Sequence, residues 1–386
     1  MKRVWMILLC ALLVLSTAGC FVDAPQPTET TPVTTEPEPT AAKPEVITDE
    51  VRAQWDAMQK EHLFEGIIRL TRNGEVVYQS VSGTNDLGQP LTVDSPMFMN
   101  SVSKQFCACA ILMLRDQGKL SLDDTLDQYF PDFTKAKDVT LRNLLSMRSG
   151  LTRYYMDLEE NLAKYAHMTR EELKETMLEW LYEQPLTFEP DSTFEYNNTN
   201  YVLLAYVVEQ VSGIAYEDYI RQHIFEPLGM THSGFSSDVA GHPEWGLTFD
   251  NLTPGSETLE MCKGCGDIVS TAGDMEIWMN ALPNGKVICE ESYREMATSY
   301  SNGSISYAGY GYGLMLCPRG GWGHGGNNKA SSNYIYFNTD YGYNLYIATP
   351  NTPEFALSLN SRVTWDFINI LFKAEDAAAA QQGISH

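Results

Sequence analysis

Ser101 and Lys104 stand three residues apart, and nowhere else in the chain does a Ser precede a Lys at that spacing. They follow Pro96 and the run Met97-Phe98-Met99-Asn100, and they open an apolar stretch from Val102 to Leu114. That stretch predicts a buried helix. Side chains three apart on a helix share a face, so Lys104 stands beside Ser101. A hydroxyl becomes a useful nucleophile only when a neighbour takes its proton. A desolvated lysine held neutral can do that. The helix start adds backbone N–H groups and positive partial charge where an oxyanion would develop. This is the chemistry of acyl transfer through serine. An exposed Ser-x-x-Lys turn is commonplace, so the reading depends on what else the chain carries.

Two more segments bear on it. Tyr196-Asn197-Asn198 forms a Tyr-x-Asn just ahead of a second apolar stretch, Val202 to Val208. His324-Gly325-Gly326 lies shortly before the strand-like run Tyr334-Ile335-Tyr336-Phe337. In this order, Ser-x-x-Lys, Tyr-x-Asn and a Lys/His-Thr/Gly-Gly box resemble the serine beta-lactamases and penicillin-recognising enzymes. The similarity is to the branch related to class C beta-lactamases, DD-peptidases and esterases; a sister group shares the first element. Val139 to Leu151, Phe225-Glu226-Pro227-Leu228-Gly229-Met230 and Val269-Ser270-Thr271-Ala272-Gly273-Asp274 resemble further segments of the family. The resemblance spans residues 50–370.

The resemblance implies roles. Ser101 is the acyl-accepting nucleophile. Lys104 helps to deprotonate it and orients the hydroxyl. Tyr196 is a second base, relaying a proton to the leaving group and then activating water. A tyrosine ordinarily ionises near pH ~10, so positive charge must stand beside it for that. Asn198 hydrogen-bonds the substrate amide and Lys104. The Ser101 N–H and the Asn327 N–H form the oxyanion hole, and Gly325 and Gly326 let substrate lie against the strand edge. His324 departs from true class C beta-lactamases, which mostly carry Lys there. A histidine is only partly charged at neutral pH, so the expectation is an activity that follows the ionisation of His324 and weak beta-lactam hydrolysis. Asn197, Thr199 and Asn200 are expected to cap the following helix. No cofactor and no metal are expected, because no metal-like spacing of ligands occurs.

Composition narrows the partners. The chain has 386 residues, 44% of them hydrophobic, which is ample for one large core. Its 26 basic and 50 acidic residues give a net charge of −24. Such a surface repels nucleic acid and anionic lipid, which excludes both as partners. A small-molecule or peptide substrate remains, with a peptidoglycan stem peptide first. Lys2, Arg3 and the short apolar run Val4 to Leu15 read as an export signal over residues 1–19. Thr17-Ala18-Gly19-Cys20 resembles a bacterial lipobox, with lipid on Cys20 as the only membrane contact and plain secretion as the alternative. Residues 20–46 form a Pro-, Thr- and Glu-rich tether, 47–375 the hydrolase domain and 376–386 a flexible tail. The cysteines of the domain (Cys107, Cys109, Cys262, Cys265, Cys289 and Cys317) are expected as buried thiols or one disulfide rather than metal ligands.

The elements must position these residues. Asp49 to Leu63 reads as an amphipathic opening helix. Asn73-Gly74 between two strand-like runs is a hairpin signal. Asp157 to Glu183 is helical by spacing, strand signals return at Tyr334–Asn338 and Tyr343–Ala348, and Glu354 to Phe372 reads as a closing helix. Strands at both ends with helices between predict an α/β fold of the α+β type. It is an antiparallel sheet built from the two chain ends, flanked by helices, with an inserted helical lobe. An alpha/beta hydrolase is excluded, since no Gly-x-Ser-x-Gly occurs. A binding protein on the same scaffold is the competing reading.

Overall fold

Asn73 and Gly74 both take left-handed backbone conformations, with φ of 51° and 82°, as a tight two-residue hairpin requires. They join β1 (Gly66–Arg72) to β2 (Glu75–Ser82). The other edge of β1 takes the last strand of the chain, β10 (Tyr343–Pro350), with Ile67 opposite Ala348 and Arg72 opposite Tyr343. Next come β9 (Ser331–Asn338), β8 (Trp322–Asn327), β7 (Met315–Leu316) and β6 (Gly309–Tyr310). The antiparallel sheet therefore runs β2-β1-β10-β9-β8-β7-β6, with the two chain ends side by side at β1 and β10. A smaller sheet places β5 (Ile268–Ser270) between β3 (Met97–Phe98) and β4 (Gly234–Phe235). The computed structural model describes residues 45–381 apart from 155–164, 166, 248–259, 302–308, 329–330 and 351–355. The export signal, Cys20 and most of the tether lie outside the described residues.

Alternate side chains of a strand point to opposite faces, and both faces of the large sheet are covered. Ile68, Leu345 and Ile347 pack with α1 (Asp49–Glu61) and the closing helix Ala356–Gln381. Ile67, Tyr346 and Ala348 join the main core on the other side. That core is built around α2 (Ser103–Asp116), α3 (Leu141–Leu145), α4 (Arg170–Glu183), α5 (Asn198–Ser212) and α6 (Ala272–Ala281). The closing helix is α7.

Helix ends follow local signals. Thr48 caps α1 by accepting from the Val51 N–H, and Gly118 with φ 71° follows α2. Thr140 caps α3 in a capping box with Asn143. Thr169 does the same for α4 with Glu172; α4 covers the later part of the helix expected over Asp157 to Glu183, and residues 157–164 and 166 lie outside the described residues. Two expected domain borders move. Val46 and Ile47 are already buried and the compact unit begins at Glu45, so its first residues were counted with the tether. At the other end α7 runs to Gln381, past the expected start of a flexible tail at 376.

Trp55 ties the two terminal helices together. It is fully buried, stacks on Phe367 with centroids 4.3 Å apart and donates Nε1–H to the Phe367 carbonyl at 3.2 Å. Trp55→Ala is expected to destabilise the domain by about 3–5 kcal/mol, read by urea unfolding; a loss within about 1 kcal/mol would contradict this packing account.

Candidate active site

Ser101 sits in a single 3-10 turn, Asn100–Val102, that runs directly into α2. The chain enters that turn through Asn100, whose φ of 48° is left-handed. Asparagine tolerates this conformation better than most residues, and its side chain is used as well. Asn100 Nδ2 donates to the Phe98 carbonyl at 3.3 Å and to Ser331 Oγ at 3.2 Å. Asn333 Nδ2 donates to the same Phe98 carbonyl at 2.6 Å. The segment before Ser101 is thereby bonded to β9. Gly326 lets β8 lie against it: a Cβ there would stand 2.5 Å from the Met99 carbonyl oxygen.

Lys104 is fully buried. Its Nζ donates to Ser101 Oγ at 3.0 Å and to the Cys265 carbonyl at 2.7 Å. An uncharged amine at this distance could accept the Ser101 proton instead. The Cys265 carbonyl is fixed by its own turn, in which Cys265 N and Gly266 N donate to the Cys262 carbonyl at 3.0 and 2.8 Å. Gly264, with φ 68°, packs that turn on α5; a Cβ there would lie 2.9 Å from the Tyr201 carbonyl. Gly264 N donates to Asp267 Oδ2 at 2.9 Å, and burial pushes the Asp267 carboxyl up to about 7. Charged neighbours anchor the same turn. Lys263 binds Glu209 at 2.7 Å, and Arg170 binds Glu260 at 2.9 Å.

Tyr196 precedes α5 and carries its ring 4.9 Å from Lys104 Nζ. It meets Tyr310 edge-on at 5.8 Å and lies 6.1 Å from the His324 ring. Asn197 caps α5 by accepting from the Thr199 N–H at 3.0 Å. Thr199 and Asn200, expected as caps too, bond elsewhere: Thr199 Oγ1 donates to the Thr152 carbonyl, and Asn200 Oδ1 accepts from Ser149. The expected bond between Asn198 and Lys104 does not form among the described residues. Lys104 is bonded to Ser101 and Cys265, and Asn198 Oδ1 is a buried acceptor without a partner.

His324, Gly325, Gly326 and Asn327 lie shortly ahead of β9, as expected, and are themselves part of β8. β7 covers only Trp322 and Gly323 of that strand, while β9 pairs along its whole length. The edge from His324 to Asn327 is left free of β7. Ser101, Tyr196, His324, Gly325 and Asn327 line one cavity of about 290 Å³ with Tyr310, Tyr334 and Trp365. His324 is fully buried, and burial next to the Lys104 charge lowers its pKa to about 3. Its Nδ1–H donates to the Gly325 carbonyl at 2.6 Å, and Nε2 accepts from the Tyr310 hydroxyl at 3.3 Å. Burial raises the Tyr310 pKa, which keeps that hydroxyl a donor. The expectation of a partly charged His324 is corrected: desolvation holds it neutral at neutral pH.

A chain with this fold and these three motifs can be placed. The beta-lactamase family profile matches residues 51–362. The chain belongs to the beta-lactamase family. A putative penicillin-binding protein, PbpX, of Bacillus subtilis (strain 168) is 34% identical over 69% of this chain and 66% of its own length. A D-aminopeptidase of Brucella anthropi is 30% identical over 68% of this chain and 51% of its own length. The chain thus spans between about half and two thirds of these curated relatives. Among solved structures, a penicillin-binding protein from Bacillus halodurans covers 82% of this chain and 99% of its own at TM-score 0.68 and 21% identity. The D-amino acid amidase from Ochrobactrum anthropi SV3 covers 85% and 99% at TM-score 0.66 and 22% identity. At such identities the two structures share the fold.

Several groups at the site had no signal in the sequence. The Cys265 carbonyl is a backbone group, so residue type does not mark it. Tyr310 and Trp365 come from segments distant in sequence, and one tyrosine among 21 does not stand out. Cys107, Cys109, Cys265 and Cys317 are buried thiols, and Cys289 is an exposed one.

The depressed His324 pKa makes two linked predictions. In the unfolded chain a histidine binds its proton near pH ~6.5, and in the fold only near 3. The unfolded state therefore holds more protons in between, and stability falls as pH drops from 6.5 towards 3. His324→Gln, which cannot titrate, should show a flatter loss of stability over that window in chemical denaturation. The pH–rate profile between pH 5 and 8 should keep the same inflections in His324→Gln; an inflection that disappears would show that His324 titrates in the active range.

Proposed function

We propose that this chain is an exported serine hydrolase that works through an acyl-enzyme on Ser101. The observation that carries the reading is Lys104 Nζ at 3.0 Å from Ser101 Oγ, with the lysine buried and steered by the Cys265 carbonyl. In acylation the Ser101 oxygen bonds to the substrate carbonyl carbon, and its proton passes to Lys104 in its uncharged, amine form. The carbonyl oxygen becomes an oxyanion held by the Ser101 and Asn327 N–H groups. When the carbonyl reforms, the C–N or C–O bond breaks and the leaving amine or alcohol takes the proton. Water deprotonated by the same base then attacks the acyl carbon and frees Ser101.

A peptide or amide fits the site better than a simple ester. The resemblance gives Asn198 the role of hydrogen-bonding a substrate amide, and its Oδ1 has no hydrogen-bond partner among the described residues. The D-aminopeptidase relative and the D-amino acid amidase fold add weight to D-amino-acid peptides and amides, a cell-wall peptide among them. The expected export signal, lipid on Cys20 and tether over residues 20–46 fit an enzyme held outside the cell membrane. The competing reading is a binding protein on the same scaffold. It has no use for a buried lysine bonded to a serine hydroxyl, which favours the enzyme.

Intact-mass spectrometry of the soluble domain from Glu45, after a fluorophosphonate and separately after a penicillin, tests this. A fluorophosphonate adduct absent from Ser101→Ala is expected. A stable penicillin adduct would add a slow-deacylating penicillin-binding peptidase to the account. The absence of both adducts would overturn it in favour of the binding protein.

A further inference from the structure

Cys262 and Cys265 form a Cys-x-x-Cys whose thiols the reaction does not use. In the fold they belong to the turn that steers Lys104. The Cys265 N–H donates to the Cys262 carbonyl at 3.0 Å, so the two cysteines are the first and last residues of one hydrogen-bonded turn. Such a turn brings its end Cα atoms within about 7 Å of one another. A disulfide spans Cα atoms about 4.4–6.8 Å apart. Both residues stand as thiols, Cys262 half-buried and Cys265 buried.

The surroundings let Cys265 change partner. Its Sγ donates to the Met261 carbonyl at 3.5 Å, and that carbonyl also accepts from the Tyr154 hydroxyl. Loss of the thiol therefore orphans no acceptor. The peptide unit between Cys265 and Gly266 carries the carbonyl that accepts from Lys104 Nζ at 2.7 Å. Glycine gives that unit rotational freedom, and even a Cβ added at Gly266 would meet nothing nearer than 3.7 Å. A disulfide with Cys262 draws the Cys265 side chain away from Met261 and turns this peptide unit with it. Lys104 then loses its second partner, and with it the position from which it reaches Ser101 Oγ. Cys107 is a further thiol beside the turn, 3.2 Å from where a Cβ on Gly264 would stand. It is turned to α5 instead, donating to the Tyr201 carbonyl at 3.6 Å.

We propose that Cys262 and Cys265 are a site of reversible disulfide formation that governs acylation of Ser101. The oxidant is a disulfide that reaches the half-buried Cys262. The Cys262 thiolate attacks one of its sulfurs and releases the other as a thiolate, which takes up a proton. The Cys265 thiolate then attacks Cys262 Sγ and releases the second half in the same way. Two thiols of the chain are oxidised to one disulfide, the oxidant is reduced to two thiols, and the cysteine protons end on those thiols. Burial pushes the Cys265 thiol up to about 11, so the second step is the slow one. The dithiol is the active hydrolase and the disulfide form is held back. Control of acylation rests on the hydrolase reading; formation of the disulfide does not.

The test uses the domain from Glu45, incubated with oxidised glutathione or with dithiothreitol. Each sample is mapped by peptide mass and labelled at Ser101 with a fluorophosphonate. A Cys262–Cys265 disulfide is expected in the oxidised sample, with labelling slower by about tenfold or more and restored by dithiothreitol. Cys262→Ser, compared with itself, should label at one rate under both conditions. Four results would overturn the proposal and leave the hydrolase reading in place. They are a bond from Cys265 to Cys107, glutathione retained on Cys262 without ring closure, equal labelling of oxidised and reduced domain, and a slowing that persists in Cys262→Ser and so belongs to another thiol such as Cys289. A reduced domain that takes no label would overturn both the hydrolase reading and the control of acylation, and that sample alone tells the two failures apart.

Discussion

Everything at this site depends on where one lysine nitrogen is held. Lys104 is buried, so its head group must be bonded, and its partners are a serine hydroxyl one helical turn back and a carbonyl 161 residues further on. The first partner follows from helix geometry. The second requires the turn around Cys265 to sit over the start of α2. That turn is held by three agents: its own hydrogen bonds to the Cys262 carbonyl, the close approach of Gly264 to α5, and ion pairs of Lys263 and Glu260. A buried polar head group with one partner removed is costly, so the burial that could make Lys104 reactive also demands the architecture that surrounds it.

The glycines around Ser101 serve the same end. Gly326 brings β8 against the backbone at Met99, and Gly313, with φ 68°, would put a Cβ 2.8 Å from the Lys104 carbonyl. Backbone approaches backbone at these points, and a side chain would force the strand or loop away. The outcome is a strand edge, His324 to Asn327, set beside the serine and free of β7, as an extended substrate would need. His324 fits this frame as a neutral link between the Gly325 carbonyl and the Tyr310 hydroxyl.

Much of this was legible in the residues. Periodicity and turn chemistry marked α1, the Asn73-Gly74 hairpin and the late strands, because their apolar faces repeat at the spacing of the element. The pairing of β1 with β10 followed from strands at both ends of the chain. The three motifs named side chains that do line or adjoin one cavity. Other features were hidden for physical reasons. β8 reads Trp-Gly-His-Gly-Gly-Asn, which has little strand propensity, and it is a strand because β9 pairs with it. The charge state of His324 depends on desolvation, which residue type does not show. Lys104 meets a carbonyl instead of Asn198, and a backbone partner leaves no mark on composition. The length of α7 was underestimated because its last turns are alanine-rich and offer no apolar stripe to read.

The central claim is that Lys104 activates Ser101 through their direct contact. It is tested most directly by the rate of fluorophosphonate labelling in Lys104→Met, which keeps a similar shape without the nitrogen. The account predicts labelling of the wild-type domain at Ser101 and a rate at least about 100-fold lower in the variant, the scale expected for loss of a positioned base. Equal rates in the two, with the fold intact, would contradict it and leave Tyr196 or solvent as the group that takes the proton.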